Sequence, residues 1–201
     1  MKNIIIGMAL IVITAASCNN GSNTTSDKNT NTDSTSQVNN SSAKEPGSST
    51  NTNTNVARSM QEMVGQYLQM KNALANDNGK DAATAGNAFV ESMGKMDKTN
   101  LTPDKKKIWN DLSDDAKEMA EHIGKNAGDI EHQREHFDML SKDMYDMVKA
   151  FGATQTLYND YCPMYNNKKG ATWLSETKDI KNPYLGKKMP TCGEVKEEMK
   201  P

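Results

Sequence analysis

Thr102 to Gly124 reads "TPDKKKIWNDLSDDAKEMAEHIG", the clearest helix signal in the chain. The Thr102 hydroxyl can accept from a free backbone N–H of a first turn. Pro103 needs no hydrogen bond at the first helical position, and Asp104 complements the positive end of the helix dipole. Behind this start, Ile108, Leu112, Ala116, Met119 and Ile123 recur at helical spacing and predict one buried face. Such a helix cannot stand alone in water, so the fold depends on whether its neighbours carry matching stripes.

They do on both sides. Downstream, "NAGD" turns the chain, Asp129 can cap a new helix, and Ile130, Phe137, Leu140, Met144, Val148 and Phe151 form its stripe up to Gly152. Upstream, Met60, Val64, Tyr67 and Leu74, widened by Met63 and Met70, mark a first helix beginning after Val56. The polar "DNGK" break at Asp77 to Lys80 separates it from a second, rich in small residues: Ala82, Ala85, Ala88, Phe89, Met93 and Met96. Four amphipathic helices with short joints predict an all-α fold, an antiparallel four-helix up-and-down bundle over 56–201. Its C-terminal part, 153–201, has no sustained period of either kind and is expected as an irregular but ordered cap. Tyr158, Tyr161, Tyr165, Trp173 and Tyr184 would anchor that cap to the helices.

The N-terminal quarter is different in kind. Lys2, the apolar run Ile4 to Thr14 and the small residues Ala15, Ala16 and Ser17 read as a signal peptide, 1–17. The small-residue run ending at Cys18 resembles a bacterial lipobox, which implies lipidation of Cys18 and a membrane link through acyl chains alone. Residues 18–55 are almost entirely Asn, Ser, Thr, Gly and Asp; they have nothing to bury and are expected as a disordered tether. The expected location is the bacterial cell envelope, facing the periplasm. Asn19 does not point to inner-membrane retention, which favours the outer membrane. A net charge of −2 offers no bulk attraction to nucleic acid.

Several motifs occur together in one order: "YLQMKNALAND" near Tyr67, "IEHQREHFDMLSKDMY" from Ile130, "YCPM" at Cys162, "WLS" at Trp173 and "NPYLGKKMPTCGEV" from Asn182. Together they resemble the domain of unknown function attached to bacterial copper/silver efflux periplasmic adaptor proteins of the CusB type, over roughly Met60 to Glu197. The resemblance implies a helical envelope domain linked to copper or silver handling, here expected as a stand-alone lipoprotein. An efflux-pump adaptor or another periplasmic protein is its implied partner.

The residues themselves support a soft-metal reading. Thiolate and thioether sulfurs select Cu(I) or Ag(I) over hard cations. Cys162 with Met164, and Met189 with Cys192, supply four such donors, and Pro163 and Pro190 stiffen the two motifs. The site requires the two motifs to meet by closing a loop of about 30 residues, and Tyr161 and Trp173 could then shield an ion. The same pair also fits a Cys162–Cys192 disulfide, worth about 2–4 kcal/mol outside the cytoplasm, in a protein-interaction module without metal. Both alternatives stand at this point.

"HQREH", His132 to His136, places two histidines four apart on a helix, with Glu135 between them, as in inverted-motif metalloproteases. No third zinc ligand is recognisable downstream. Wheel positions put His132 opposite the apolar stripe and His136 on its flank, so both are expected in solvent; His136 is also a candidate supporting ligand for the sulfur site. His122 is read as a plain surface residue. Most of the 14 methionines fall on apolar faces, but Met139 and Met147 are expected to add exposed thioethers or a partner-binding surface. Lys71, on an apolar face, is read as snorkelling in preference to pairing with a carboxylate. Arg134 is expected to reach carbonyls of the cap. There is no phosphate loop, nucleophile elbow or defensible acid–base pair, so a binding protein and not an enzyme is expected.

Overall fold

A computed structural model describes residues 49–201, with side chains from residue 54 onward. The signal peptide, Cys18 and nearly all of the tether lie outside the described residues. Four long helices come first: α1 (Ser49–Ala75), α2 (Gly79–Gly94), α3 (Pro103–Lys125) and α4 (Ile130–Phe151). Three of the starts are capped, Thr102 and Asp129 as the sequence predicts and Asn78 in addition. The side chains of Asn78, Thr102 and Asp129 accept from the backbone N–H of Asp81, Lys105 and His132. The first helix starts at Ser49, eleven residues before Met60, the first residue of its stripe, because Ser49 to Asn55 continue the same spiral.

Each helix packs on the next, and α1 also touches α4. The small-residue character of α2 has a direct use: a Cβ on Gly86 would lie 2.9 Å from the Ala120 carbonyl oxygen, so only glycine lets the backbones of α2 and α3 approach this closely. The buried face of α3 is rotated from the predicted one. Trp109, Ala116, Ala120 and Ile123 are buried, whereas Ile108, Leu112 and Met119 are half-buried; Trp109 stands edge-on to Phe151 at 6.2 Å. The larger ring has more apolar area to gain from burial.

The expectation of an all-α chain with an irregular cap is corrected after Gly152. The chain there forms a three-stranded antiparallel sheet in the order β2-β1-β3. Its strands are β1 (Leu157–Cys162), β2 (Ala171–Ser175) and β3 (Glu194–Met199). The fold is therefore mostly helical with a small sheet. A register shift between Asn159 and Asp160 breaks the pairing of β1 with β3, and the residues of β3 are mostly exposed and charged. Neither strand presents the alternation that would reveal it in sequence.

Buried polar contacts fasten the sheet to the helices. The Tyr67 hydroxyl meets the Ser141 hydroxyl at 2.8 Å and accepts from the Leu174 N–H at 3.0 Å. Tyr184, itself buried, donates to the Thr172 carbonyl at 2.5 Å and stacks on Tyr165 at 4.5 Å. Arg134 does reach the cap. It donates to the Pro183 carbonyl at 2.9 Å, to the Leu74 carbonyl at 3.0 Å and to the Asp77 carboxylate at 2.6 Å, joining α1, α4 and the C-terminal segment. This guanidinium holds the Asp77 carboxyl below its usual range. Lys71 does not snorkel: it is fully buried and pairs with Glu176 at 2.7 Å, since a buried ammonium without a partner would be far costlier. Met147 is also buried, contrary to expectation, while Met139 is exposed.

Candidate functional site

The two sulfur motifs occupy opposite approaches to one end of the sheet. Cys162 closes β1 and is buried; Cys192 is half-buried two residues before β3. Between Cys162 and β2 the chain reverses through Asn166, Asn167 and Lys168, all with positive φ, which restarts the antiparallel pairing at Cys162 and Ala171. The second motif is held by Asn182. This fully buried side chain donates to the Cys192 carbonyl at 2.7 Å and accepts from the Tyr184 and Leu185 N–H groups at 2.8 Å each. Its backbone N–H donates to the Pro190 carbonyl at 2.9 Å. A Cβ on Gly193, which has φ +148°, would lie 2.8 Å from the Trp173 ring and 3.1 Å from the Tyr161 carbonyl oxygen, so glycine lets the second motif press against the first.

The result is that Cys162 Sγ lies 2.6 Å from Cys192 Sγ, across 30 residues of chain. Both methionines connect to Cys192 through backbone hydrogen bonds: the Met164 N–H faces its sulfur, and its own N–H donates to the Met189 carbonyl at 3.2 Å. The side chains of Met164 and Met189 are exposed. Burial, followed by the hydrogen bond with Cys162, pushes the Cys192 thiol up to about 11, so in its reduced form this sulfur holds its proton at neutral pH. Sulfurs this close can join in a covalent bond near 2.05 Å or rotate outward to share an ion.

His136 has its contacts elsewhere. His122 from the last turns of α3 meets His132 and His136 from the first turns of α4, and one nitrogen from each lies within 4.8 Å of the others. His136 Nε2 is 3.1 Å from His132 Nε2, and the His136 ring stacks on that of His122 at 4.3 Å. Its Nδ1 lies 3.2 Å from Met119 Sδ. Thus the sulfur pair and the imidazoles form separate clusters in their contacts. The reading of His122 as a plain surface residue is corrected: the third imidazole comes from upstream of the "HQREH" motif. An antiparallel helix pair must place residues equidistant from its turn side by side; His122 and His132 are equidistant from Ala127. That symmetry could have revealed the cluster in sequence.

Two further side chains stand out for their electrostatics. Asp160 in β1 is fully buried, neither carboxylate oxygen has a hydrogen-bond partner, and burial raises its pKa to about 7 despite the opposing charge of Lys71. Asp143 on α4 is raised to about 6 by burial and by the neighbouring charges of Asp115 and Asp146.

Among the described residues, no helix is long and apolar enough to cross a membrane. What these features define is a mostly helical domain whose small sheet brings two cysteines together. The chain is similar, over residues 63–156, to the family described as "Protein of unknown function (DUF3347)". That stretch contains the three histidines and Arg134 and stops just before β1, short of both cysteines. Neither the curated proteins nor the solved structures include a match to the chain.

Proposed function

We propose that this protein is a cell-envelope lipoprotein that binds Cu(I) or Ag(I) through Cys162 and Cys192, with Met164 and Met189 as thioether donors, on an antiparallel up-and-down bundle of four helices. The observation that carries the reading is the convergence of two Cys/Met motifs, with both methionines hydrogen-bonded through their backbones to Cys192. Soft sulfur donors on a prestiffened frame match a monovalent coinage metal, and two thiols that lose their protons on binding would put two negative charges on the +1 ion, leaving a site of net charge −1. The role is binding, not catalysis, and its partner would be an efflux adaptor or another periplasmic protein. The envelope location and the lipid at Cys18 rest on the N-terminal sequence.

The short sulfur separation favours one rival reading, a disulfide-stapled interaction module. Closing this loop would stabilise the fold by about 3.5 kcal/mol. Anaerobic Cu(I) titration of reduced protein against a competing chelator separates the two. One equivalent bound by wild type and none by Cys162→Ser supports the metal site. Native protein that contains no titratable thiol and takes up no metal after reduction establishes the staple instead, in which case Cys162→Ser chiefly lowers the melting temperature.

A further inference from the structure

We infer that His122, His132 and His136 form a second metal site, one that takes a borderline divalent transition ion such as Cu(II), Ni(II) or Zn(II). Imidazole nitrogens suit this class, whereas monovalent coinage ions favour the sulfurs at the sheet. The site uses different donors and rests on no part of the sulfur reading.

The geometry is close to what coordination needs. A tetrahedral ion with bonds of 2.0–2.1 Å holds its nitrogen ligands about 3.3 Å apart. His132 Nε2 and His136 Nε2 are already 3.1 Å apart, and all three nitrogens fall within 4.8 Å. The first two residues are one helical turn apart on α4, which places them on the same face; the third comes from the antiparallel neighbour. The His122 and His136 rings are stacked, 17° between planes and 4.3 Å between centroids, so their in-plane lone pairs lie in nearly parallel planes and do not converge on one ion as they stand. One ring must therefore turn about its side-chain torsions to close on an ion. All three residues are half-buried on helix surfaces, and the ring that turns must give up its contact with a neighbouring imidazole.

The surroundings suit a cation. Glu118 Oε1 is 3.9 Å from His122 Nε2 and Glu135 Oε2 is 3.7 Å from His132 Nδ1, beyond hydrogen-bond reach but close enough to add negative potential at the cluster. Burial, followed by the like charges of His122 and His132, lowers the His136 pKa, which favours the neutral ring that a metal requires. Met119 lies on the Nδ1 edge of His136, away from the Nε2 that faces His132, so its sulfur is not the fourth ligand. Three protein donors leave a coordination position to solvent, and an ion held there exchanges more readily than one in a closed site. Bound between the ends of α3 and α4, it would also clip that hairpin shut.

The test is a Co(II) titration of untagged, reduced, full-length protein. The inference expects one equivalent with visible ligand-field bands and no thiolate charge-transfer band, displaced by Zn(II). His122→Gln, His132→Gln and His136→Gln should each weaken binding by more than the roughly 10–100-fold that loss of an outer-shell partner costs. Zn(II) should raise the melting temperature of wild type and leave that of His122→Gln unchanged. Each variant is checked by far-ultraviolet circular dichroism, and half-exposed helix positions should tolerate the change. Absence of stoichiometric binding, a thiolate charge-transfer band at the first equivalent, or undiminished affinity in His122→Gln overturns the inference.

Discussion

The α3–α4 hairpin and the C-terminal sheet are held in shape by different means. Each helix of the hairpin starts on its own cap, Thr102 or Asp129, and its apolar face then packs on a neighbour. The sheet has few such local instructions. Its position depends on long-range polar contacts into the helices: Arg134 to Pro183, Tyr67 to Leu174, Tyr184 to Ser141, and Lys71 to Glu176. Damage should therefore stay local in the first region and release the second as a unit.

Arg134→Ala is the largest test of that contrast. It leaves the Pro183 and Leu74 carbonyls without their shared donor, at about 1–3 kcal/mol for each unsatisfied acceptor and so about 2–6 kcal/mol together, while the exposed Asp77 carboxylate is rehydrated and adds little. In urea denaturation the loss should fall in that range. In hydrogen exchange, the amides of β1 and β2 should lose protection before those of α3. Equal loss in both regions would break the contrast.

A smaller effect should come from Asp160→Asn, and it depends on pH. The folded carboxyl has a pKa of about 7 against an ordinary 3.8, so the native state binds the extra proton between these values. Stability from this group is thus greatest at the acidic end of that window, falls as pH rises through it, and is lowest above about pH 7. Asparagine stays neutral throughout. The variant should exceed wild type by about 1–3 kcal/mol at pH 8, with the difference shrinking toward pH 4. Paired urea melts at the two pH values measure this, and a constant difference would show that the carboxylate is not buried as described.

Least of all should Thr102→Ala matter. Losing one N-cap costs about 1 kcal/mol, and exchange should quicken only in the first turn of α3. Fraying that spreads to the sheet would show the hairpin to be less self-contained than its caps suggest.

The same contrast explains what could be read in advance. Caps and a 3.6-residue stripe lie close together in the chain, so the helices were legible from Thr102, Pro103, Asp129 and their apolar spacings. Helical wheels were weaker guides to which side chain is innermost. Trp109 displaced Ile108, and Met147 went inside, because a wheel describes one helix and not the surface its neighbour offers. The strands escaped notice because β3 has charges where a half-buried strand shows alternation, and the shift at Asn159 and Asp160 interrupts β1. Of the sulfur site, the donor residues were legible, whereas Asn182, which arranges the second motif, had no signal beyond its place in "NPYLGKKMPTCGEV". His122 carries no signal within its own helix, because its meaning depends on the opposite one.

One property of β3 has a bearing on how these molecules behave together. The strand pairs with β1 on one side only, and Glu194, Lys196, Glu197 and Glu198 put charge along much of its length. An unguarded border of this sort can recruit a strand from another molecule and seed fibre growth. Here an incoming copy would have to strip water from a row of charges, so even crowded copies should remain soluble and separate along this border.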